Sequence, residues 1–299
     1  MMKYTRRHFI KTGLAGLGGL ALGGSLLSSC SQSQKSTPVF YDPYELVTIG
    51  QTSIKTTRLA MGTGIHGGRG ESNLTRLGFD SGVKLVQNMY ERGIRSFDCA
   101  DAYGSHFIVG EALKNYPRAD HTIFTKIVVR DNPQESVESS IERYLKELQT
   151  DYIDILALHF MTSPNWNTEY SDAMESISKL KEKGLIRSHG ISSHSLSALR
   201  LAAEEPWAEV CYVRFNPFGI NMDGSIDEVF PIVESMHNAG KGVIGMKIYG
   251  EGKFANDAEK KDESLTLSLR SGVVDLLDIG MDKMSDLLDT EERIRKIAI

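Results

Sequence analysis

Four side chains stand where apolar runs give way to polar turns, and their types suit proton chemistry. Asp98 lies inside the run Ser96 to Ala100, and Tyr103 follows in the turn five positions on. Lys126 stands at the end of the run HTIFTKI and His159 at the end of DILALHF. A carboxylate in an apolar run is costly unless a cation meets it, so Asp98 predicts a buried partner, and both later runs offer one. Alone, Asp98 and Lys126 read as a structural ion pair, His159 as a satisfied core histidine and Tyr103 as a loop anchor. Together, each at or just past the end of a strand-like segment, they form a coherent set for proton-coupled chemistry.

The elements that must position them alternate along the chain. Strand-like runs at residues 58–64, 96–100, 121–127, 152–160, 186–192, 209–216, 242–248 and 273–281 are separated by helical patterns. The helices are expected near 81–92, 110–116, 133–148, 171–183, 196–205, 227–240, 263–272 and 283–297. Eight such repeats predict a single α/β domain, a (β/α)8 TIM barrel, whose strand C-termini carry the active groups. Leu46 to Thr57 reads as an N-terminal β-hairpin turning at Gly50-Gln51 and plugging the barrel bottom. The long glycine-rich segment 65–80 is expected to shape a pocket, with His66 and Arg69 as solvated loop residues. A doubly wound sheet would need a helix directly after MGTGIHGGRG, and none is signalled there.

The chain has 299 residues, 40% of them hydrophobic, and a formal net charge of −5. That suits one sizeable core and argues against a nucleic-acid surface. No metal-ligand spacing stands out among the histidines, and His106 reads as a loop residue near the pocket. Thr5-Arg6-Arg7-His8-Phe9-Ile10-Lys11 is a twin-arginine pattern, followed by an apolar, glycine-rich stretch from Thr12 to Leu27. Leu27-Ser28-Ser29-Cys30 resembles a bacterial lipobox, which implies a lipid on Cys30. The expected division is residues 1–30 as signal peptide, 31–44 as flexible tether and 45–299 as barrel. The expected location is a membrane-anchored lipoprotein facing the periplasm or cell exterior, exported folded by the twin-arginine machinery. Cys99 and Cys211 read as buried, reduced thiols.

Asp98 with Tyr103 five positions later, Lys126 after a strand, and His159 in ILALHF resemble the four-residue catalytic set of the aldo-keto reductases. The similarity runs from about Leu46 onward, in the family's order of parts. It implies an NAD(P)H-dependent oxidoreductase that interconverts an aldehyde or ketone and an alcohol. Tyr103 would donate the proton, Lys126 would polarise its hydroxyl, Asp98 would hold Lys126, and His159 would orient the carbonyl. Outside this set the resemblance places the cofactor at Ser192, Ser193, Tyr212, Lys247, Gly250, Gly280 and Lys283. Ser193 stands where the family has Asn, Tyr212 replaces a glutamine and Phe215 a tyrosine. Lys283 offers a cation for a 2′-phosphate in place of arginine, which leans toward NADPH over NADH. The short segment after the last helix predicts an open site for a sugar-like or bulky carbonyl. Two other readings of the same barrel stay open, a cofactor-binding sensor and a non-redox lyase or isomerase.

Overall fold

The structure, a computed structural model, describes residues 38–129 and 135–299. The signal pattern, Cys30 and the first half of the expected tether, residues 31–37, lie outside the described residues. The hairpin comes first, with β1 (Leu46–Thr48) antiparallel to β2 (Lys55–Thr57). It closes the bottom of a barrel: Gln51 N–H donates to Gly240 O at 2.8 Å and Gly50 N–H to Asp275 Oδ2 at 3.1 Å. Ile49 and Ile54 drop into the interior as the plug. Phe40 to Tyr44, expected as tether, instead pack on the barrel. Tyr41 N–H donates to Ile297 O, and the Tyr44 hydroxyl bonds Glu291.

The barrel strands are β3 (Leu59–Gly62), β4 (Ser96–Asp98), β5 (Thr122–Ile127), β6 (Ile153–Met161), β7 (Ile186–Ser193), β8 (Val210–Arg214), β9 (Gly242–Met246) and β10 (Leu276–Gly280). They pair in parallel in chain order, and β10 closes on β3. This is the (β/α)8 barrel that the alternation predicts. Parallel strands covered on both faces read as near-continuous apolar runs, which is why their positions are legible. Side-chain parity separates two cores. In β8, Val210 and Tyr212 point into the barrel, while Cys211 and Val213 meet the helices. Cys99 and Cys211 are buried free thiols, as expected.

The helices are α1 (Asn73–Arg76), α2 (Phe79–Arg92), α3 (His106–Leu113), α4 (Val137–Glu147), α5 (Trp166–Glu169), α6 (Ser171–Glu182), α7 (Leu196–Glu204), α8 (Ile226–Asn238), α9 (Ala258–Arg270) and α10 (Met284–Ile294). Each long helix buries one stripe, as α2 does with Leu85, Val86, Met89 and Tyr90. Short α1 and α5 have no periodic signature in the sequence. Helix α3 begins four residues before the expected start, which moves His106 from loop to buried helix. None of the described helices is long and apolar enough to cross a membrane.

Candidate active site

At the C-terminal end of the barrel, β4 ends on Asp98 and the chain makes a short helical turn over Asp101–Tyr103. β5, beside β4, carries Lys126 into the same space. Lys126 Nζ bonds Asp98 Oδ2 directly and donates to Cys99 O at 3.1 Å. Both side chains are at most 3% exposed, so the pair is shut away from water. Burial pushes the lysine's pKa down, but the Asp98 carboxylate beside it outweighs that and holds it above the ordinary amine value. Lys126 is therefore a fixed cation, 5.3 Å from the Tyr103 ring centre and 4.6 Å from that of Tyr212.

Tyr103 lies over this pair. Gly64 and Gly67 let the loop backbone press on its ring, since a Cβ at Gly64 would fall 2.2 Å from Tyr103 Cε2 and one at Gly67 2.5 Å from Cδ1. The glycine-rich loop thus clamps the tyrosine. Burial raises the phenol, Lys126 lowers it, and Asp98, Asp278 and Glu251 raise it again, leaving it pushed up to about 12. At neutral pH the hydroxyl keeps its proton. Tyr103 OH and His159 Nε2 are 3.5 Å apart, with the rings edge to face at 5.4 Å. His159 is aimed there by a break in β6, whose register on β7 shifts between Leu158 and Met161. Phe160 takes φ +64° at this bulge, and its N–H is tied to Ser192 Oγ at 2.8 Å. Two donors at this separation can both reach one oxygen about 2.8 Å from each.

A cleft of about 440 Å³ opens beside Tyr103 and Asp98. It runs past Gly62 and Asp278 to Lys247, Glu251 and Gly252, and on to Gly280, Asp282, Lys283 and Asp286. Lys247 lies 3.3 Å from Glu251, and Lys261, also in the wall, lies 2.9 Å from Asp289. Among the described residues Lys283 is in no ion pair, and it precedes α10 without a side-chain cap on that helix. His66 is exposed at the rim and lines the cleft, and Asn73 of α1 joins it.

Other expected cofactor residues lie elsewhere. Ser192 and Ser193 are fully buried outside the cleft wall, Ser192 bracing the β6 bulge and Ser193 donating to Ser195 O at 3.1 Å. Tyr212 is inside the barrel at 0% exposure, packed under Lys126, so its ring is no stacking surface. Gly250 is in the turn behind the wall, against the Phe254 ring, while its neighbours Glu251 and Gly252 face the cleft. His106 donates Nδ1–H to Glu147 Oε2 at 2.9 Å, pairs through Nε2 with Thr125 Oγ1 at 2.7 Å and does not reach the cleft. Asp101, His106 and Glu147 come together, but the cation among them is Arg143, at 2.8 Å from Asp101 and 3.1 Å from Glu147. The residue that carries no signal of its role in the sequence is Asp278 of β10, half-buried in the cleft wall beside Asp98.

Residues 58–298 match the model of the aldo/keto reductase family. The chain belongs to that family, and with it to the oxidoreductases. Methylglyoxal reductase DkgB of Escherichia coli O157:H7 is 26% identical over 247 residues, covering 73% of this chain and 92% of the relative. L-galactose dehydrogenase of Arabidopsis thaliana is 28% identical over 211 residues, covering 67% of this chain and 64% of the relative. A Klebsiella pneumoniae aldo-keto reductase crystallised with NADPH superposes with a TM-score of 0.63 at 19% identity, covering 85% of this chain and 90% of that one. This last likeness speaks for the barrel alone.

Proposed function

We propose that this aldo/keto reductase reduces an aldehyde or ketone to an alcohol with NADPH, Tyr103 giving the proton. One observation carries the reading: a neutral phenol in the wall of a long cleft stands 3.5 Å from an imidazole nitrogen, above a buried Asp–Lys pair. When bound, the reduced nicotinamide supplies the hydride. The cleft's donors suit such a ligand. Lys247, Lys261 and Lys283, with the turn around Gly250, Gly280 and the start of α10, supply cations and backbone N–H groups for phosphates. NADH would use the same cleft without the 2′-phosphate.

Charge builds on the carbonyl oxygen as the hydride arrives. His159, with the proton on Nε2, and the Tyr103 hydroxyl both donate to that oxygen and hold the carbonyl in place. An alkoxide is far more basic than a phenolate, so the Tyr103 proton moves to the substrate and leaves a tyrosinate. Lys126 meets that charge as it forms, and Asp98 keeps Lys126 charged and pointed. Water then returns a proton to Tyr103. Buried desolvated groups strengthen each of these interactions.

The test is a paired measurement on wild type and Tyr103→Phe. The reading requires both to quench on titration with NADPH and only wild type to turn over small aldehydes. Equal turnover in the two proteins would refute it. Support also exists in the sequence for a lipoprotein at a membrane surface, exported folded. Cys30→Ala should then release the protein from the membrane fraction, and an unchanged distribution would refute the anchor.

A further inference from the structure

Asp278 is the group that the four-residue set leaves unexplained. It stands on β10 in the otherwise apolar run Leu276-Leu277-Asp278-Ile279, and its side chain lines the cleft with Tyr103 and Asp98. Gly62 of β3 pairs with Asp98 on one side and Gly280 on the other. A Cβ at Gly62 would lie 2.6 Å from Asp278 Oδ1, so the glycine leaves open the gap across which the two carboxyl groups meet.

Asp98 commits Oδ2 to Lys126. Asp98 Oδ1 and Asp278 Oδ1 are both buried without a hydrogen-bond partner, and the Tyr212 hydroxyl, buried beside Asp98, is a single donor facing two acceptors. Two bare carboxylates cannot satisfy each other, because neither brings a hydrogen. One proton between them satisfies both with a single bond. The charges agree. Asp278 faces Asp98 from β4 and Lys126 from β5, with Tyr103 and Tyr212 around the same point. The flanking strands bring Ala60 and Gly62 from β3 and Gly245 and Met246 from β9, none of them charged. Farther out, Glu251 and Lys247 face the cleft as a pair of their own. One cation thus serves two acids, Asp98 fully buried and Asp278 half-buried with its Oδ1 shut away from water, and the second negative charge has no partner. Burial, with the Asp98 charge behind it, carries the Asp278 acid well above the ordinary carboxyl range.

We propose that Asp278 is a positioning residue that enters the reaction as the neutral acid, donating its O–H to Asp98 Oδ1 and so holding Asp98 aimed at Lys126 beneath Tyr103. The inference deepens the reductase reading and rests on it for its kinetics, but not for the proton itself. Loss of that proton at alkaline pH would put an uncompensated negative charge below Tyr103, opposing the charge that forms during reduction.

The proton is read by infrared difference spectroscopy of the cofactor-free full chain at pH 7, wild type minus Asp278→Asn. The expected result is the carbonyl stretch of a protonated carboxyl group, present in wild type and lost in the variant. Loss of carboxylate stretches alone overturns the proposal, whatever the activity. Kinetics add a second arm, because Asn keeps a donor for Asp98 and Val does not. With both variants melting as folded proteins, Asp278→Asn should exceed Asp278→Val in kcat by about tenfold, the scale of one buried acceptor left without a donor. The alkaline limb of kcat should also move to higher pH in Asp278→Asn. Equal kcat in the two variants, or a limb that stays in place, overturns the positioning role.

Discussion

Replacing Lys126 with Met removes the cation under Tyr103 and keeps the length and apolar stem of the side chain. The ammonium lies 5.3 Å from the Tyr103 ring centre. With an effective dielectric constant of about 20, a unit charge at that separation is worth about 3 kcal/mol. That energy stabilises the tyrosinate and the oxygen charge of the transition state but not the neutral ground state. Its loss should lower kcat by about 10²-fold and leave KM for the carbonyl nearly unchanged. Folding should survive, because Asp98 can take up a proton of its own beside the Asp278 acid once the cation is gone, although the melting temperature should fall. The assay is steady-state reduction of small aldehydes at saturating NADPH, with NADPH affinity from fluorescence titration and a thermal melt as controls. A kcat within about threefold of wild type, in a folded variant that binds NADPH normally, would refute the electrostatic account, since effects below 1 kcal/mol are far short of the expected term.

Gly64→Ala places a methyl group 2.2 Å from the Tyr103 ring, so the ring must move. Turnover should drop by about 10²-fold for a shift near 1 Å, with NADPH binding kept, and normal turnover would count against the clamp. Lys283→Ala should weaken NADPH by about tenfold and NADH little, as measured by parallel titrations; equal weakening would place the 2′-phosphate elsewhere. His121 is 4% exposed, and burial, with Arg118 adding to it, lowers its pKa from 6.5 to about 4. A folded pKa below the unfolded one gives stability that is present above pH 6.5 and lost as pH falls toward 4, about 2 kcal/mol of it between pH 7 and pH 5. Urea midpoints should show that loss and His121→Gln should reduce it, whereas an unchanged slope in the variant would assign the effect to other groups.

Asp98, Asp154 and Asp278 all stand in apolar strand runs, and the demand of a buried acid for a partner applies to each. Which partner each finds depends on its end of the barrel. Asp154, near the start of β6, takes Arg118 at 2.7 Å and Arg187 at 2.6 Å, a structural clasp at the bottom. Asp98 and Asp278 lie toward the other end and meet across Gly62, a closeness that only barrel closure of β10 on β3 creates. The sequence shows the three acids and conceals that closure. Tyr212 teaches the same lesson. Its strand is legible, but the parity that turns its ring inward beneath Lys126 needs the register of β8 on β7 and β9. The strands themselves are legible because two-sided burial makes them apolar throughout. Helix boundaries drift where the signal is one or two polar residues, as at the start of α3.

The most direct measurement of the central claim uses NADPH deuterated on the transferring face of its nicotinamide ring, incubated with this protein and a panel of small carbonyls. The account predicts an alcohol with one deuterium on the carbinol carbon, formed in step with NADPH loss and abolished in Tyr103→Phe. NADPH that binds but is never consumed across the panel, or product without deuterium, would contradict it.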